Sequence, residues 1–385
     1  MSPDLAIENA TVYRAPGRAP EPRATVLLRE GRVAKVGTHV AIPSGADVES
    51  ADGRVVVPGF WNCHVHFTEP HWASAATAPG ATLERLLRET HLRWGFTTVV
   101  DLGSDPRSTV PLRRRIASGE LAGPTILTAG PAIYPPDGIP YYVRGSIPPD
   151  VVDQVPQPAG PAEAEAVARG ILAIGADVLK LFTGSYVARG KIRPMPEAVA
   201  RAVVDVAHAA GRLVFCHPSN LEGTEIAMRS GVDILAHPPD SADAVDPARV
   251  RELVARGMSM IPTLKMFGAT VSRSAEHMDP ILEIVREFRS RGGELLFGTD
   301  VGYLTDYSTE EEFRWLGRTG LDGTAVLRML TAAPAGRFPG VGSSRLEPGA
   351  RGDLVLLDGD PRSDLTAFAR VRVTVRSGRV VYRAT

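Results

Sequence analysis

Short apolar runs alternate with longer amphipathic segments between residues 54 and 299, and this alternation restricts the fold more than any other feature. Several runs are apolar with almost no interruption, among them TTVVDL, DVLKLF and RLVFCH. Strands that are apolar on both faces are typical of a parallel sheet covered by helices. We predict strands over 54–60, 96–101, 125–132, 177–183, 212–217, 232–237, 258–263 and 294–299. Helices are predicted between them over Thr82–Trp94, Ala162–Ile174, Glu197–Ala210, Pro247–Arg256 and Pro280–Arg291. Repeated strand–helix units of this number predict an α/β fold, a (β/α)8 TIM barrel.

Both ends of the chain have a different pattern, with short alternating runs separated by glycine turns. Each end is too short to form a good core alone. We therefore predict one small β-sandwich domain built from both chain termini, with residues 1–57 and 345–385 flanking a barrel over 58–344. A long proline-rich loop over 134–160 follows the third predicted strand and is a candidate lid.

The overall composition is that of an ordinary globular enzyme, with 44% hydrophobic and 23% charged residues and a net charge of −1. This balance gives no reason to expect a nucleic-acid or membrane partner. The start of the chain has no secretory signal pattern, so a cytoplasmic protein is expected. Cys63 and Cys216 are expected to be reduced core thiols that point away from any ligand face. The run Glu310–Glu312 is expected to be a solvated helix start.

Histidines and one aspartate stand at the carboxyl ends of the predicted strands, where barrel enzymes carry their chemistry. They are His64 and His66 in the stretch VVVPGFWNCHVHFTE, then His217, His237 and Asp300. Imidazole and carboxylate ligands suit a divalent metal such as Zn²⁺. Taken singly, each histidine has an alternative as a hydrogen-bonded structural residue, and Asp300 as a helix cap. Taken together, they predict a metal site.

Lys180 lies within the apolar strand DVLKLF, and lysine is rare in this chain. Burial lowers the pKa of a lysine amine, and a neutral amine can react with CO₂ to give a carbamate that bridges two metals. The alternative is a protonated Lys180 beside a single metal ion.

The motifs PGFWNCHVHF, DVLKLFTGS, FCHPSN, ILAHPPD and FGTDVGY, in this order, resemble those of the amidohydrolase superfamily. The likeness is greatest to its imidazolonepropionase-like and prolidase-like branch. The resemblance implies two divalent metal ions, expected to be Zn²⁺: one on His64, His66 and Asp300, the other on His217 and His237, with N-carboxylated Lys180 as the bridge. Imidazolonepropionases are mononuclear and lack the bridging lysine, so Lys180 favours the binuclear, dipeptidase-like members.

The resemblance also implies a small-molecule substrate and is compatible with a homo-oligomer. The reaction that it implies is the hydrolysis of an amide C–N bond in a dipeptide or N-acyl amino acid by a metal-bridged hydroxide. Asp300 would act as general base and then as general acid, and Lys180 and His237 are the other residues expected to be catalytic. Three alternatives stay open. They are a mononuclear deaminase or cyclic-amide hydrolase, an esterase, lactonase or carbamate hydrolase on the same site, and a metal-bearing scaffold or binding protein that is not an enzyme.

The substrate contacts are expected from loops after the strands. Tyr186 and Tyr303 are candidates to face the pocket, and Tyr186 or the Ser185 hydroxyl to stabilise an oxyanion. Arg144 and Arg189 are candidates to bind a substrate carboxylate, with a solvated surface arginine as the alternative.

Overall fold

The protein has a mixed α/β fold in the computed structural model, which describes residues 4–145, 152–240 and 246–385. The strands are β1 Leu5–Val12, β2 Glu21–Arg29, β3 Arg32–Gly37, β4 Asp47–Ser50, β5 Val55–Pro58, β6 Phe60–Val65, β7 Phe96–Asp101, β8 Thr125–Thr128, β9 Leu179–Phe182, β10 Gly184–Ala188, β11 Lys191–Pro194, β12 Val214–His217, β13 Ile234–Leu235, β14 Ser259–Met260, β15 Glu294–Leu295, β16 Leu354–Leu357, β17 Val371–Arg376 and β18 Arg379–Arg383. The helices are α1 Gly80–Thr90, α2 Pro106–Ala117, α3 Tyr141–Arg144, α4 Pro161–Ala173, α5 Glu197–Ala209, α6 Leu221–Ser230, α7 Pro247–Ala255, α8 Leu264–Thr270, α9 Ala275–Ser290, α10 Glu310–Arg318, α11 Gly323–Leu330 and α12 Ala332–Arg337.

Strands from both ends of the chain share one sheet. Its order is β18-β17-β16-β5-β1-β2-β3, with β4 paired to β1. The joint between the two ends is the antiparallel pair β5 and β16, in which Val56 lies opposite Leu356. Apolar side chains from both ends, Ile7, Val26 and Val375 among them, fill one buried cluster against this sheet. The strands form a single continuous sheet, so the two-layer sandwich and the domain boundaries stay predictions.

The parallel strands form two further sheets, β6-β7-β8 and β15-β14-β13-β12-β9. Backbone hydrogen bonds join their edges on both sides. On one side the Cys63 amide donates to the Phe297 carbonyl at 2.7 Å, and on the other the Ile133 amide donates to the Lys180 carbonyl at 2.9 Å. The carboxyl ends of all these strands therefore lie at one end of the arrangement.

The predicted strand over 54–60 is wrong, because the chain changes sheets at Pro58-Gly59. β5 belongs to the terminal sheet, and β6 is the first parallel strand. The Gly59 amide donates to the Asp353 carbonyl at 3.0 Å, and a Cβ on Gly59 would lie 2.4 Å from the Thr97 hydroxyl oxygen. The change of sheet at Gly59 is thus fixed by Asp353, nearly 300 positions away in the sequence, and by close packing against Thr97.

Other differences concern lengths and missed elements. The remaining predicted strands exist but most are shorter, and the hairpin β10–β11 after Lys180 was not predicted. The region 134–160 contains α3, while residues 146–151 lie outside the described residues, so the lid stays a prediction. Glu310 begins α10 as expected, but Glu312 is buried rather than solvated.

Both cysteines are free and buried. Cys216 and Cys63 belong to two different apolar clusters, so both are core residues as expected. The direction of the two thiols relative to the ligand face stays a prediction. In the part of the chain that the structure describes, no helix combines the length and apolarity needed to cross a bilayer.

Candidate metal centre

A buried carboxylate surrounded by imidazoles lies at the carboxyl ends of the parallel strands. Asp300 Oδ1 is 3.3 Å from His64 Nε2 and 3.0 Å from His66 Nε2. On the other side, Asp300 Oδ2 is 3.7 Å from His237 Nε2. His64, His237 and Asp300 each offer a ligand atom, and these three atoms lie within 4.8 Å of one another. Four of the predicted ligand residues are thus in direct contact.

Neighbouring groups fix which ring nitrogen of two histidines faces Asp300. His66 Nδ1 lies 3.0 Å from the Gly103 carbonyl oxygen, which can only accept, so the proton is on Nδ1. His237 Nδ1 contacts the Thr263 hydroxyl, and that hydroxyl donates its own proton to the Pro262 carbonyl at 2.9 Å. The hydroxyl oxygen must then accept from His237 Nδ1. In its neutral form each ring therefore directs an Nε2 lone pair towards Asp300, which is how histidines are oriented to bind a metal.

The arrangement of lone pairs fits a bound cation. His64 Nε2 and His66 Nε2 are only 3.3 Å apart and both face the same carboxylate oxygen. Asp300 Oδ1 and His64 Nδ1 are buried and have no hydrogen-bond partner of good geometry among the described residues. Buried polar atoms are normally satisfied. A divalent ion accepting these lone pairs would satisfy the Asp300 oxygen and the facing nitrogens together.

Burial and charge keep most of these histidines neutral. Burial, reinforced by the Lys180 and His237 charges, holds the pKa of His64 well below its ordinary value. Burial and the same lysine lower the pKa of His217 to about 3. The pKa of His237 is also well below normal, through burial and the nearby His217. Burial opposes protonation of His66 too, but contact with Asp300 outweighs it and raises the His66 pKa. Neutral imidazole is the form that binds metals.

Lys180 and His217 border the cluster on its other side. The His217 ring lies 4.9 Å from the His237 ring and stacks on Phe182 at 4.8 Å, between ring centroids. Lys180 is 2% exposed, and its Nζ lies 5.5 Å from the Phe182 ring centroid. Burial lowers the pKa of Lys180 to about 8, and the Asp300 charge opposes this shift. The amine is therefore partly neutral near neutral pH.

The backbone at the strand ends is held in unusual conformations. His237, Thr263 and Asp300 have φ angles of 151°, 44° and 58°, in the region that favours glycine. Gly302 has a φ of 101°, and a Cβ there would lie 2.1 Å from the His66 carbonyl oxygen. Such strain is concentrated at functional sites in proteins. Here it turns the histidine and aspartate side chains towards a common point.

Two residues that the sequence did not single out tie the ligand strands together. The Asn62 amide oxygen accepts from the Thr299 backbone at 3.2 Å, and its nitrogen donates to the Thr299 hydroxyl at 2.7 Å. Glu69 accepts from Trp72 Nε1 at 2.8 Å and from the Tyr307 hydroxyl at 2.6 Å. Asn62 thereby joins β6 to the segment before Asp300, and Glu69 joins the loops after His66 and Asp300. Neither has a local motif that would have revealed this role.

The predicted substrate residues are dispersed. Tyr186 lies at the start of the β10–β11 hairpin, and its hydroxyl donates to Asp240 at 2.8 Å. Tyr303 is 39% exposed, and its ring contacts that of Tyr142 at 5.6 Å. Ser185 is buried, and its hydroxyl donates to the Gly138 carbonyl, a bond that an oxyanion role would have to break. Arg144 and Arg189 are exposed, and their binding of a substrate carboxylate stays a prediction.

Comparison with known proteins places the chain in a family. The model of the amidohydrolase family matches residues 55–381. A 5-methylthioadenosine/S-adenosylhomocysteine deaminase of Symbiobacterium thermophilum is 25% identical, over 98% of this chain and 93% of the relative. A dihydroorotase of Mycobacterium tuberculosis is 46% identical over 48 residues, so that match spans only 12% of this chain and 11% of the relative.

Solved structures agree over nearly the whole length. A Xaa-Pro dipeptidase with bound methionine superposes with a TM-score of 0.83 at 22% identity, covering 99% of this chain and 100% of the other. A putative prolidase from Bifidobacterium longum gives a TM-score of 0.79 at 23% identity, covering 99% and 95%. At these identities the likeness establishes the fold. Since the family model spans most of the sequence, the chain belongs to the amidohydrolase family, as the resemblance of its motifs predicted.

Proposed function

We propose that the protein is a metal-dependent hydrolase that cleaves an amide or related C–N bond of a small molecule, with dipeptides and N-acyl amino acids as leading substrates. One observation carries the proposal. The buried Asp300 carboxylate lies 3.0–3.7 Å from the Nε2 atoms of three histidines. The dipeptidase and prolidase names of similar structures favour the same substrate class.

The architecture proposed for this enzyme is a (β/α)8 barrel with a small β-sandwich built from both chain ends. Support comes from the backbone hydrogen bonds that link the two parallel sheets on both sides. Barrel enzymes carry their active sites at the carboxyl ends of the strands, which is where the cluster around Asp300 lies.

The proposed ligands are His64, His66 and Asp300 for one divalent ion and His217 and His237 for a second, with Lys180 as the bridge. Nitrogen and carboxylate oxygen ligands suit Zn²⁺. For the bridge, the neutral Lys180 amine attacks the carbon of CO₂, a C–N bond forms and one proton is released, which leaves a carbamate anion. The lowered pKa of Lys180, about 8, supports this step because it makes the neutral amine available.

The metal ions, Asp300 and the histidines have different roles in the proposed reaction. When bound, the metal ions lower the pKa of water and polarise a substrate carbonyl. Asp300 accepts the proton of the attacking water on a carboxylate oxygen and then delivers it to the leaving nitrogen. His66 and His237 are held in one tautomer by Gly103 and Thr263, so their Nε2 atoms stay oriented without a cost at each turnover.

The test is metal content per chain for protein prepared with bicarbonate, compared with Lys180→Ala and with the exposed control Lys35→Ala. We expect about two metal ions in the parent and in the control, and one or none in Lys180→Ala. Release of amino acid from dipeptides should stop on chelation and return with metal. One metal ion per chain, unchanged in Lys180→Ala, contradicts the binuclear site, and metal-loaded protein inert towards the whole amide panel contradicts the proposed activity.

A second candidate is a mononuclear deaminase, favoured by the relative that matches 98% of the chain. It would hydrolyse an aryl C–N bond and release ammonia rather than an amino acid. Ammonia release from a panel of aminopurine nucleosides, with one metal ion per chain, would select this candidate over the first.

A further inference from the structure

Asp240 lies where the strand ends that carry Lys180, His217 and His237 meet. It follows His237 by three residues, after Pro238-Pro239. Its backbone amide donates to the Ser219 carbonyl at 3.0 Å, two residues beyond His217. Its carboxylate accepts from the Tyr186 hydroxyl at 2.8 Å, and Tyr186 follows the Lys180 strand. Three of the strands that supply the cluster thus fix the position of one further carboxylate.

The Asp240 carboxylate is partly buried. Burial raises the pKa of Asp240 to about 6, against the hydrogen bond from Tyr186, which lowers it. The carboxylate is therefore mostly ionised at pH 7. Within residues 4–145, 152–240 and 246–385, no lysine, arginine or histidine nitrogen lies within 4.0 Å of its oxygens. A partly desolvated anion of this kind gains more from a cationic partner than an exposed one does.

Tyr142 lies within electrostatic range of both Asp240 and Asp300. Burial raises the pKa of Tyr142 well above normal, and Tyr303, Tyr134, Asp300 and Asp240 raise it further by their charges. The Tyr142 hydroxyl is therefore within electrostatic reach of both carboxylates. Its ring contacts that of Tyr303 at 5.6 Å. Aromatic faces beside a carboxylate favour ammonium and guanidinium groups, by cation–π attraction and charge-assisted hydrogen bonds.

We propose that Asp240, with Tyr142 and Tyr186, forms a subsite for a cationic group on the substrate, so that amides of basic amino acids are preferred over neutral ones. The choice of amides rests on the proposed function, whereas the selection for positive charge does not. The subsite concerns a cationic group on the substrate, so the separate expectation that Arg144 and Arg189 bind a substrate carboxylate is unchanged.

The experiment varies two charges independently, one on the ligand and one on Asp240. N-acetyl-L-arginine and N-acetyl-L-citrulline have nearly the same shape, but only the first is cationic. Their dissociation constants are measured by calorimetry on metal-loaded protein in an Asp300→Asn background, so that the ligands are bound without turnover. Asp240→Asn removes the proposed charge, and Asp205→Asn removes an exposed charge on α5 as the matched control.

We expect the arginine compound to bind about 10–100-fold tighter than the citrulline compound, the range for a hydrogen bond to a charged group. Asp240→Asn should bring this ratio close to one, and Asp205→Asn should leave it unchanged. Thermal unfolding checks that the variants are folded. If Asp240→Asn is not, Tyr186→Phe replaces it and should reduce the ratio several-fold by removing the hydroxyl that holds the carboxylate.

Three results overturn the subsite: no measurable binding of the arginine compound, equal binding of both compounds by the parent, or a binding ratio that is as large in Asp240→Asn or Tyr186→Phe as in the parent. Acetate release by the parent enzyme is recorded separately on both compounds. A charge preference in binding without hydrolysis of these or any other amides would retain the subsite and reject the proposed function. Hydrolysis of amides without any charge preference in binding would retain the proposed function and reject the subsite.

Discussion

Glu69 joins the two loops that follow His66 and Asp300, and its replacement by glutamine should loosen both. The carboxylate accepts from Trp72 Nε1 at 2.8 Å and from the Tyr307 hydroxyl at 2.6 Å, and its side chain is 11% exposed. A hydrogen bond to a charged group contributes about 1.5–3 kcal/mol. Glutamine keeps one acceptor oxygen but loses the charge and the second acceptor. We therefore expect Glu69→Gln to lower the free energy of unfolding by about 2 kcal/mol.

The same change should weaken metal binding about tenfold, the lower end of the range for residues that orient metal ligands. The two loops touch at other points as well, since the His66 amide donates to the Val301 carbonyl at 2.7 Å and the Thr68 hydroxyl to the Gly302 carbonyl at 3.0 Å. These contacts keep the loops partly in place, so metal affinity should fall without being lost.

Urea unfolding of metal-free protein gives the stability, and chelator competition gives the metal affinity. Tyr307→Phe and the double variant complete a cycle, in which a coupling energy of about 1 kcal/mol or more is expected for groups in contact. Glu222→Gln, at an exposed glutamate of α6, is the control. Two results would refute the role of Glu69 as a link between the loops. One is that the losses of unfolding free energy in the two single variants simply add up in the double variant, and the other is that Glu69→Gln binds metal as tightly as the parent.

Three further changes test other parts of the site. Gly302→Ala should cost at least about 2 kcal/mol of unfolding free energy and impair metal binding, since its Cβ would lie 2.1 Å from the His66 carbonyl oxygen at a φ of 101°; parent-like unfolding and metal content would contradict this. Asp300→Asn should reduce kcat about 10²–10⁴-fold, the usual contribution of general acid–base catalysis, and retained activity would exclude the proton-transfer role. Burial raises the pKa of Glu312 from 4.5 to about 7, so the folded state holds a proton that the unfolded state releases. This group therefore stabilises the fold fully below pH 4.5, and about 3 kcal/mol is lost as the pH rises to 7. Urea unfolding at pH 5 and 7.5 should show that the unfolding free energy falls less in Glu312→Gln than in the parent. An equal fall in both proteins would show that ionisation of Glu312 is not its cause.

The sequence predicted the candidate ligands where a histidine or an aspartate stands at the end of a predicted strand. His64, His66, His237 and Asp300 were found because imidazoles and a carboxylate closed successive apolar runs, and the structure brings these four together. What their side chains do depends on tautomers set by Gly103 and Thr263, groups with no local pattern to mark them.

Features that depend on distant contacts were not predictable. Val55–Val65 reads as one apolar run, yet it is divided between two sheets by the hydrogen bond from Gly59 to Asp353. Glu312 looked like part of a solvated acidic helix start. It is buried because the backbone amides of Leu264 and Lys265 donate to it at 3.1 and 2.7 Å. Asp240 was visible in ILAHPPD, but its position beside Tyr186 depends on a hairpin that the sequence did not indicate.

The pairing of β5 with β16 also bears on the order in which the molecule can be assembled. Val56 and Leu356 are adjacent in space but lie some 300 residues apart, and closing so long a loop is slow relative to local contacts. β5 runs into β6 through Gly59 alone, so the strand that bears His64 lacks its anchor until the ribosome has made residues 354–357. During synthesis the metal centre should therefore mature late. A chain halted at residue 350 should show a protease-sensitive β5–β6 segment and poor metal retention, whereas protection equal to that of the full chain would mean that the parallel strands assemble unaided.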